Sequence, residues 1–493
     1  MELLSPAGNV EKLKYAYMYG ADAAYIGLKK FSLRVKADNF YEDEYNKVIA
    51  LKKQFPGKKL HCALNIAFHN REIDALLQNL DYFKQYPIDA FIVQDLGIVP
   101  ILQKHFPGVS LHVSTQASVM NREAVKMYQK IGFNRVVLGR EVSLNEVREI
   151  KDAVPEMEIE CFAHGAMCIA YSGRCLMSAY LTGRSAQSGF CSHTCRWEYD
   201  VGVFGNATRI DERDAKQIAE SGNLVLQEKK RPGEFFPVYE GDDFTAVLSS
   251  KDLCMIDHLD DMQKAGVDSL KIEGRMKSVY YVAMVTRAYR KALDALDEKI
   301  TQKEAAPFIA SLDEVAHREC TTGFFYSRTD ADKTTVGASD SPYDLAGYVG
   351  APYTAAETEA VLVSGAQMVS ARKAELDAMH PAARAAAERD YAAHPEKCPA
   401  ALQKRAGWKL YPYTSFNKTD AGTELEIITP DVLKTVLSGK EYVFANPKNG
   451  AIIPFANPDH DCAIYTAQDI PADALVRTKD AGYQAGVVRT TGR

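Results

Sequence analysis

Short apolar runs recur along the first two-thirds of the chain with helix-spaced segments between them. This alternation constrains the fold more than any other feature. The first run, Glu2-Leu3-Leu4, closes on Ser5-Pro6-Ala7-Gly8. Others follow at 23–28, 60–65, 90–95, 111–116, 135–140 and 157–164, and a last one at 269–273. They are rich in Val, Ile and Leu and have the length of strands buried on both faces. The intervening segments carry helical spacing, as in Val10-Leu13-Ala16-Tyr17 and Ala124-Met127-Tyr128-Ile131. Strands alternating with helices build parallel βαβ units. Eight such units predict an α/β fold, a (β/α)8 barrel of the triosephosphate isomerase type; a doubly wound open sheet is the alternative.

Polar residues gather where these runs end: Asn65, Ser114-Thr115-Gln116, Arg140-Glu141, His164 and Glu273-Gly274-Arg275. The C-terminal rim of a (β/α)8 barrel hosts the active site, and the repetition at strand after strand favours a site over simple strand stops. The stretch between the seventh and eighth runs is too long for a loop. It predicts a Cys-rich insertion over about 166–245, with a hairpin-like region; 245–253 could add a strand and shift the count by one. The barrel is expected to span 1–330, with a polar linker at 331–346. Residues 347–493 suggest a small C-terminal β-barrel-like domain. Within it, 347–364 read as β-like and about 366–406 as an Ala-rich helical insert.

Charge narrows the partners. A formal net charge of −6 gives no global sign of nucleic-acid binding, so any such surface is a local basic patch. Lys29, Lys30, Arg34 and Lys36 make one after the second strand, and Lys271, Arg275 and Lys277 another after the last. Both would meet phosphates on the rim. Met1–Val10 has no basic region followed by an apolar stretch, and no run approaches a membrane span, so a cytoplasmic protein without a membrane partner is expected. In a reducing compartment, clustered cysteines bind metal or do redox chemistry more often than they form disulfides.

Four of the ten cysteines do cluster: Cys168, Cys175, Cys191 and Cys195, spaced C-x6-C-x15-C-x3-C. Four thiolates can hold a tetrahedral zinc or a 4Fe–4S cluster, and spacing alone does not choose. Zinc knuckles favour close pairs, and only 191/195 approaches that, so the wide spacing leans towards iron–sulfur. The remaining cysteines are scattered and read as core or incidental.

Around this cluster the chain resembles the U32 (collagenase-like) peptidase family. The resemblance rests on Glu160, Phe162, His164-Gly165-Ala166, Cys168, Ser172-Gly173-Arg174-Cys175 and Ser178. The segments ELLSPAG, FSLRVKADNF, Ser114-Thr115-Gln116-Ala117 and SLKIEGR are similar to the family too. It is dense to about residue 330 and continues weakly into NKTDAGTELEIITP. The runs CSHTCRWEYDV and RPGEFF look most like the branch that makes 5-hydroxyuridine in tRNA. The resemblance implies a 4Fe–4S cluster on the four cysteines, hydroxylation of the wobble uridine of tRNA, and a prephenate-derived co-substrate. Sister branches hydroxylate ribosomal RNA cytidine or the ubiquinone ring. An electron-donor protein would be a further partner.

Such chemistry assigns roles on the rim. His164, Glu141, Glu160 and Glu273 are acid/base candidates. A wobble base drawn from its loop stacks on an aromatic or arginine plane, for which Tyr171, Arg174, Arg196 and Trp197 stand beside the cysteines. Lys29, Arg34, Asn65, Gln116, Arg140, Lys271 and Arg275 complete the substrate-binding candidates. Proteolysis is poorly supported, because there is no H-E-x-x-H and no G-x-S-x-G. A zinc-stabilised RNA-binding module is the non-catalytic alternative.

Overall fold

The computed structural model describes residues 1–28, 31, 40, 44–168, 170–182, 191, 195, 225–226, 236–237, 239–240, 245–246, 250–327, 341–393 and 400–480. The described residues form two compact units, one within Met1–Asp340 and the other within Ser341–Ala485.

The first unit is a closed barrel of eight parallel strands: β1 (Glu2–Pro6), β2 (Ala23–Ile26), β3 (Lys59–Leu64), β4 (Ala90–Val93), β5 (Ser110–Val113), β6 (Arg135–Val137), β7 (Glu158–Ala166) and β8 (Ser269–Ile272). Each pairs with the next, and β8 also pairs with β1, so no edge is left. Local chemistry starts the helices between them. Asn9 and Asn121 cap the helices at Val10 and Arg122. Ser143 and Glu146 form a capping box that satisfies orphan N–H groups at the start of Leu144–Ala153.

The barrel interior is charged. Arg135 reaches Glu2 (2.5 Å), Glu158 (2.7 Å) and Glu160 (3.1 Å), and Lys271 continues the chain to Glu160 (2.7 Å). Burial opposes ionisation of Glu2, but the hydrogen bond and charge of Arg135 hold its carboxyl down to about 2. Glu160 is buried completely; the charges of Lys271 and Arg135 outweigh that burial and keep it ionised. His61 and His112 pack edge to face among these groups, and burial drives His61 down to about 4. Above the chain lies a small apolar cluster of Leu4, Ala23, Tyr25 and Ile92.

Strand β7 carries a bulge. Phe162 pairs with Lys271, yet the next partners are His164 and Ile272, which leaves Ala163 as the extra residue. A bulge breaks the alternation of faces. Glu160 stays inside the barrel, whereas His164 turns outward to the long helix Val279–Leu296, its Nδ1 3.4 Å from the Tyr289 hydroxyl. Beyond the bulge, Asp252–Cys254 pairs antiparallel with the end of β7, and Cys320–Thr321 pairs with that short strand. The segment expected to unsettle the strand count therefore lies outside the eight. Within the insertion, two short ladders are described, Val225–Leu226 with Phe236–Pro237 and Tyr239–Glu240 with Thr245–Ala246.

The second unit holds a seven-stranded antiparallel sheet: β9 (Tyr343–Val349), β10 (Lys409–Ser415), β11 (Leu425–Ile428), β12 (Thr435–Leu437), β13 (Tyr442–Ala445), β14 (Cys462–Thr466) and β15 (Ala474–Lys479). Its order is β12-β11-β15-β9-β10-β14-β13. Leu437 from one edge and Phe444 from the other share one core, so the sheet curls; among the described residues its edges do not pair into a closed barrel. The β-like reading of 347–364 holds only to Val349. A helix runs over Ala355–Ala378, started by a Thr354/Glu357 capping box, and a second over Pro381–Ala393. The helical insert thus begins earlier than 366, and 400–406 is not helical. The part of the expected linker at 331–340 lies outside the described residues.

Candidate active site

At the C-terminal rim a cavity of about 330 Å³ opens over the barrel. All four clustered cysteines line it, and so do Asn65, Gln116, Arg140, Tyr171, Lys271, Glu273 and Arg275. The strand ends converge because each inward position of one strand sits beside those of its neighbours.

The first cysteine loop is fixed by backbone contacts. Glu141 accepts the Ser172 N–H at 2.7 Å, the Ser172 hydroxyl accepts the Arg140 N–H at 3.2 Å, and the Ser118 hydroxyl donates to the Ser172 carbonyl at 2.5 Å. Gly173 has φ +75°, and a Cβ there would stand 2.1 Å from the Gln116 carbonyl oxygen. Only glycine allows this approach, which places Cys175 beside the ends of β5 and β6.

Charge on the wall is mostly paired. Arg140 bonds Glu273 at 3.1 Å and lies 3.7 Å from the Phe162 ring centroid. The Lys271 ammonium is 4.7 Å from the Tyr25 ring centroid while it bonds Glu160 below. Glu273 is held from behind: its N–H donates to the His164 carbonyl at 2.8 Å, and Tyr281 donates to its carbonyl at 2.9 Å. Gly165, at φ +107°, makes room, since a Cβ would meet the Glu273 carbonyl at 2.7 Å. Tyr171 is 59% exposed, so its ring is free to meet a planar ligand.

The remaining candidates divide. Glu141 positions the loop, and Arg174 bonds Ser118 at 3.2 Å; neither lines the cavity. Glu160 lies below the floor in the ion chain. His164 lies outside the barrel wall, because of the bulge. Lys29, Arg34, Arg196 and Trp197 lie outside the described residues. Sequence reasoning missed Tyr25 on the wall, although an aromatic ending an inward strand face is a readable signal. It also passed over Cys254 and Cys320 as incidental, whereas both line a second cavity with His164.

Could the four-cysteine cavity take an iron–sulfur cluster? The donor set fits. Four cysteines line one space together with Arg140, Lys271 and Arg275, so thiolate donors and cations to balance an anionic cluster are both present.

These features define a closed (β/α)8 barrel with a four-thiol rim cavity. The chain belongs to peptidase family U32, whose family model matches residues 8–335. It is 38% identical over 367 residues to "tRNA hydroxylation protein P" of Escherichia coli K12, covering 71% of this chain and 80% of that one. It is also 38% identical to "tRNA hydroxylation protein P1" of Bacillus subtilis 168, covering 71% of this chain and 76% of that one. The "23S rRNA 5-hydroxycytidine C2501 synthase" of E. coli K12 is 35% identical, over 69% of this chain and 47% of that one. Among the described residues no helix is long and apolar enough to cross a membrane.

Proposed function

We propose that this protein is an RNA hydroxylase, acting on the wobble uridine of tRNA to give 5-hydroxyuridine. One observation carries the reading: the four cysteines and the Arg140–Glu273 pair line one cavity, in a chain similar over most of its length to tRNA hydroxylation proteins.

Cys168, Cys175, Cys191 and Cys195 would hold a 4Fe–4S cluster, which supplies electron transfer when bound, because four protein ligands leave no open iron. The chain's own residues do the rest. Tyr171 offers an exposed ring on which an unstacked uracil stacks at the cavity mouth. Arg140, Lys271 and Arg275 give the wall a positive balance over Glu273, which suits a phosphate or the carboxylates of a prephenate-derived co-substrate. Asn65 and Gln116 provide amide donors and acceptors for the edge of a base. Glu273 is the one acid on that wall among the candidates, held by Arg140 and placed to take or return a proton. Placing a hydroxyl on uracil C5 is a two-electron oxidation, so the reaction would also need an oxygen donor and an oxidant, and an electron-donor protein would be the partner that sets the redox state of the cluster.

The test is nucleoside mass spectrometry on tRNA and ribosomal RNA from a deletion strain, with and without this gene. Loss and restoration of 5-hydroxyuridine supports the proposal. A change confined to 5-hydroxycytidine in ribosomal RNA would move the substrate to the sister branch, and unchanged RNA would reject hydroxylation.

A further inference from the structure

Outside the barrel wall, behind β7, lies a second and larger cavity of about 840 Å³. His164, Cys254, His317 and Cys320 line it, and the hydroxylase reading uses none of them. Cys254 ends the short strand paired with His164, and the two residues line the cavity side by side. Cys320, on the neighbouring short strand, lines the same cavity, its thiol 3.7 Å from His317 Nδ1. The Tyr289 hydroxyl, 3.4 Å from His164 Nδ1 and 3.9 Å from Cys254 Sγ, fixes the imidazole from the other side. Cys320 is exposed, whereas Cys254 is only partly so.

From this arrangement we propose that Cys254 and Cys320 form a redox-active dithiol that exchanges with low-molecular-weight disulfides. Cys254 is the attacking sulfur, His164 its activating partner and Cys320 the resolving thiol. The Cys254 thiolate attacks one sulfur of a disulfide RSSR. A mixed disulfide forms and one RS⁻ leaves, taking up a proton as RSH. Cys320, giving up its own proton, then attacks the Cys254 sulfur. The protein disulfide forms and the second RSH leaves. Two protein thiols are oxidised and one RSSR is reduced to two RSH.

The electrostatics point the same way. The Cys320 hydrogen bond, and then His164, pull Cys254 down to about 3 despite its burial, while Cys320 is pushed up. Both directions favour Cys254 as the nucleophile and Cys320 as its protonated partner. The ladder pairs Cys320 with Asp252, so Cys254 lies one pleat further along the strand.

Digestion makes the test direct. Cleavage after Lys251 and Lys264 gives a peptide whose one cysteine is Cys254, and cleavage after Arg318 and Arg328 gives one whose one cysteine is Cys320. The full-length protein is equilibrated anaerobically in glutathione buffers of graded potential, trapped and digested. The expected result is a linked pair of these two peptides, rising with oxidised glutathione and reversed by reduced glutathione. Cys320→Ser should leave glutathione stranded on Cys254. In the reduced protein, His164→Ala should slow iodoacetamide labelling of Cys254 at neutral pH by about tenfold or more. A glutathione adduct on Cys254 of the unaltered protein with Cys320 still free would overturn the dithiol, leaving a lone reactive thiol. No reaction at either cysteine would overturn the site altogether.

Discussion

Strand β7 has two sides, and they differ in kind. Inward, Glu160 and Phe162 belong to a chain of ions and rings that runs from Glu2 up to the four-cysteine cavity. Outward, beyond the bulge, His164 serves a compact cluster of thiols, imidazole and phenol. The inner side is held by long-range charge pairing between strands, the outer by short contacts to one helix and two short added strands. Damage inside should therefore spread through the barrel, while damage outside should stay local.

The strongest challenge to that contrast is Cys191→Ala. It should abolish both bound iron and RNA modification, and His164→Ala should keep the iron; iron and sulfide assays on anaerobically purified protein read both. Equal iron loss in the two variants would erase the distinction. Next comes Glu160→Ala, which strands Lys271 and part of Arg135 and should cost about 3–5 kcal/mol in denaturant unfolding. Acid should show the same dependence. Glu2 is held at about 2 in the fold against an ordinary value of 4.5, so its contribution is complete above that ordinary value and is lost as pH falls towards 2. The loss is at most about 3 kcal/mol, measured as unfolding free energy against pH. The smallest effect belongs to the outer side. Tyr289→Phe removes the hydroxyl that donates to the Ala163 carbonyl at 2.7 Å and accepts the Met255 N–H at 3.2 Å. It should cost about 1–3 kcal/mol and leave iron content unchanged. Loss of iron in that variant would show the two sides to be one unit.

The eight strands were legible because buried parallel strands are near-continuous apolar runs, and turn chemistry marks where each one stops. The four cysteines were legible through their proximity in sequence. His164 was not placed correctly, because the bulge at Ala163 has no compositional mark; a strand pleated regularly through CFAH would have sent that imidazole inward with Phe162. Nor could Cys254 and Cys320 be joined from sequence, since a strand and three α-helices separate them and the pairing of Asp252–Leu253 with Cys320–Thr321 brings them together. In the second unit, Val361-Leu362-Val363 imitates a strand. The Thr354–Glu357 capping box ahead of it was the signal for a helix.

His164 also stands on both sides. Its carbonyl accepts the N–H of Glu273 on the cavity wall, while its ring lines the second cavity with Cys254 behind the wall. The ring and the backbone of this one residue thus serve different sites: removing the imidazole takes a partner from the thiol side and leaves in place the carbonyl that anchors Glu273.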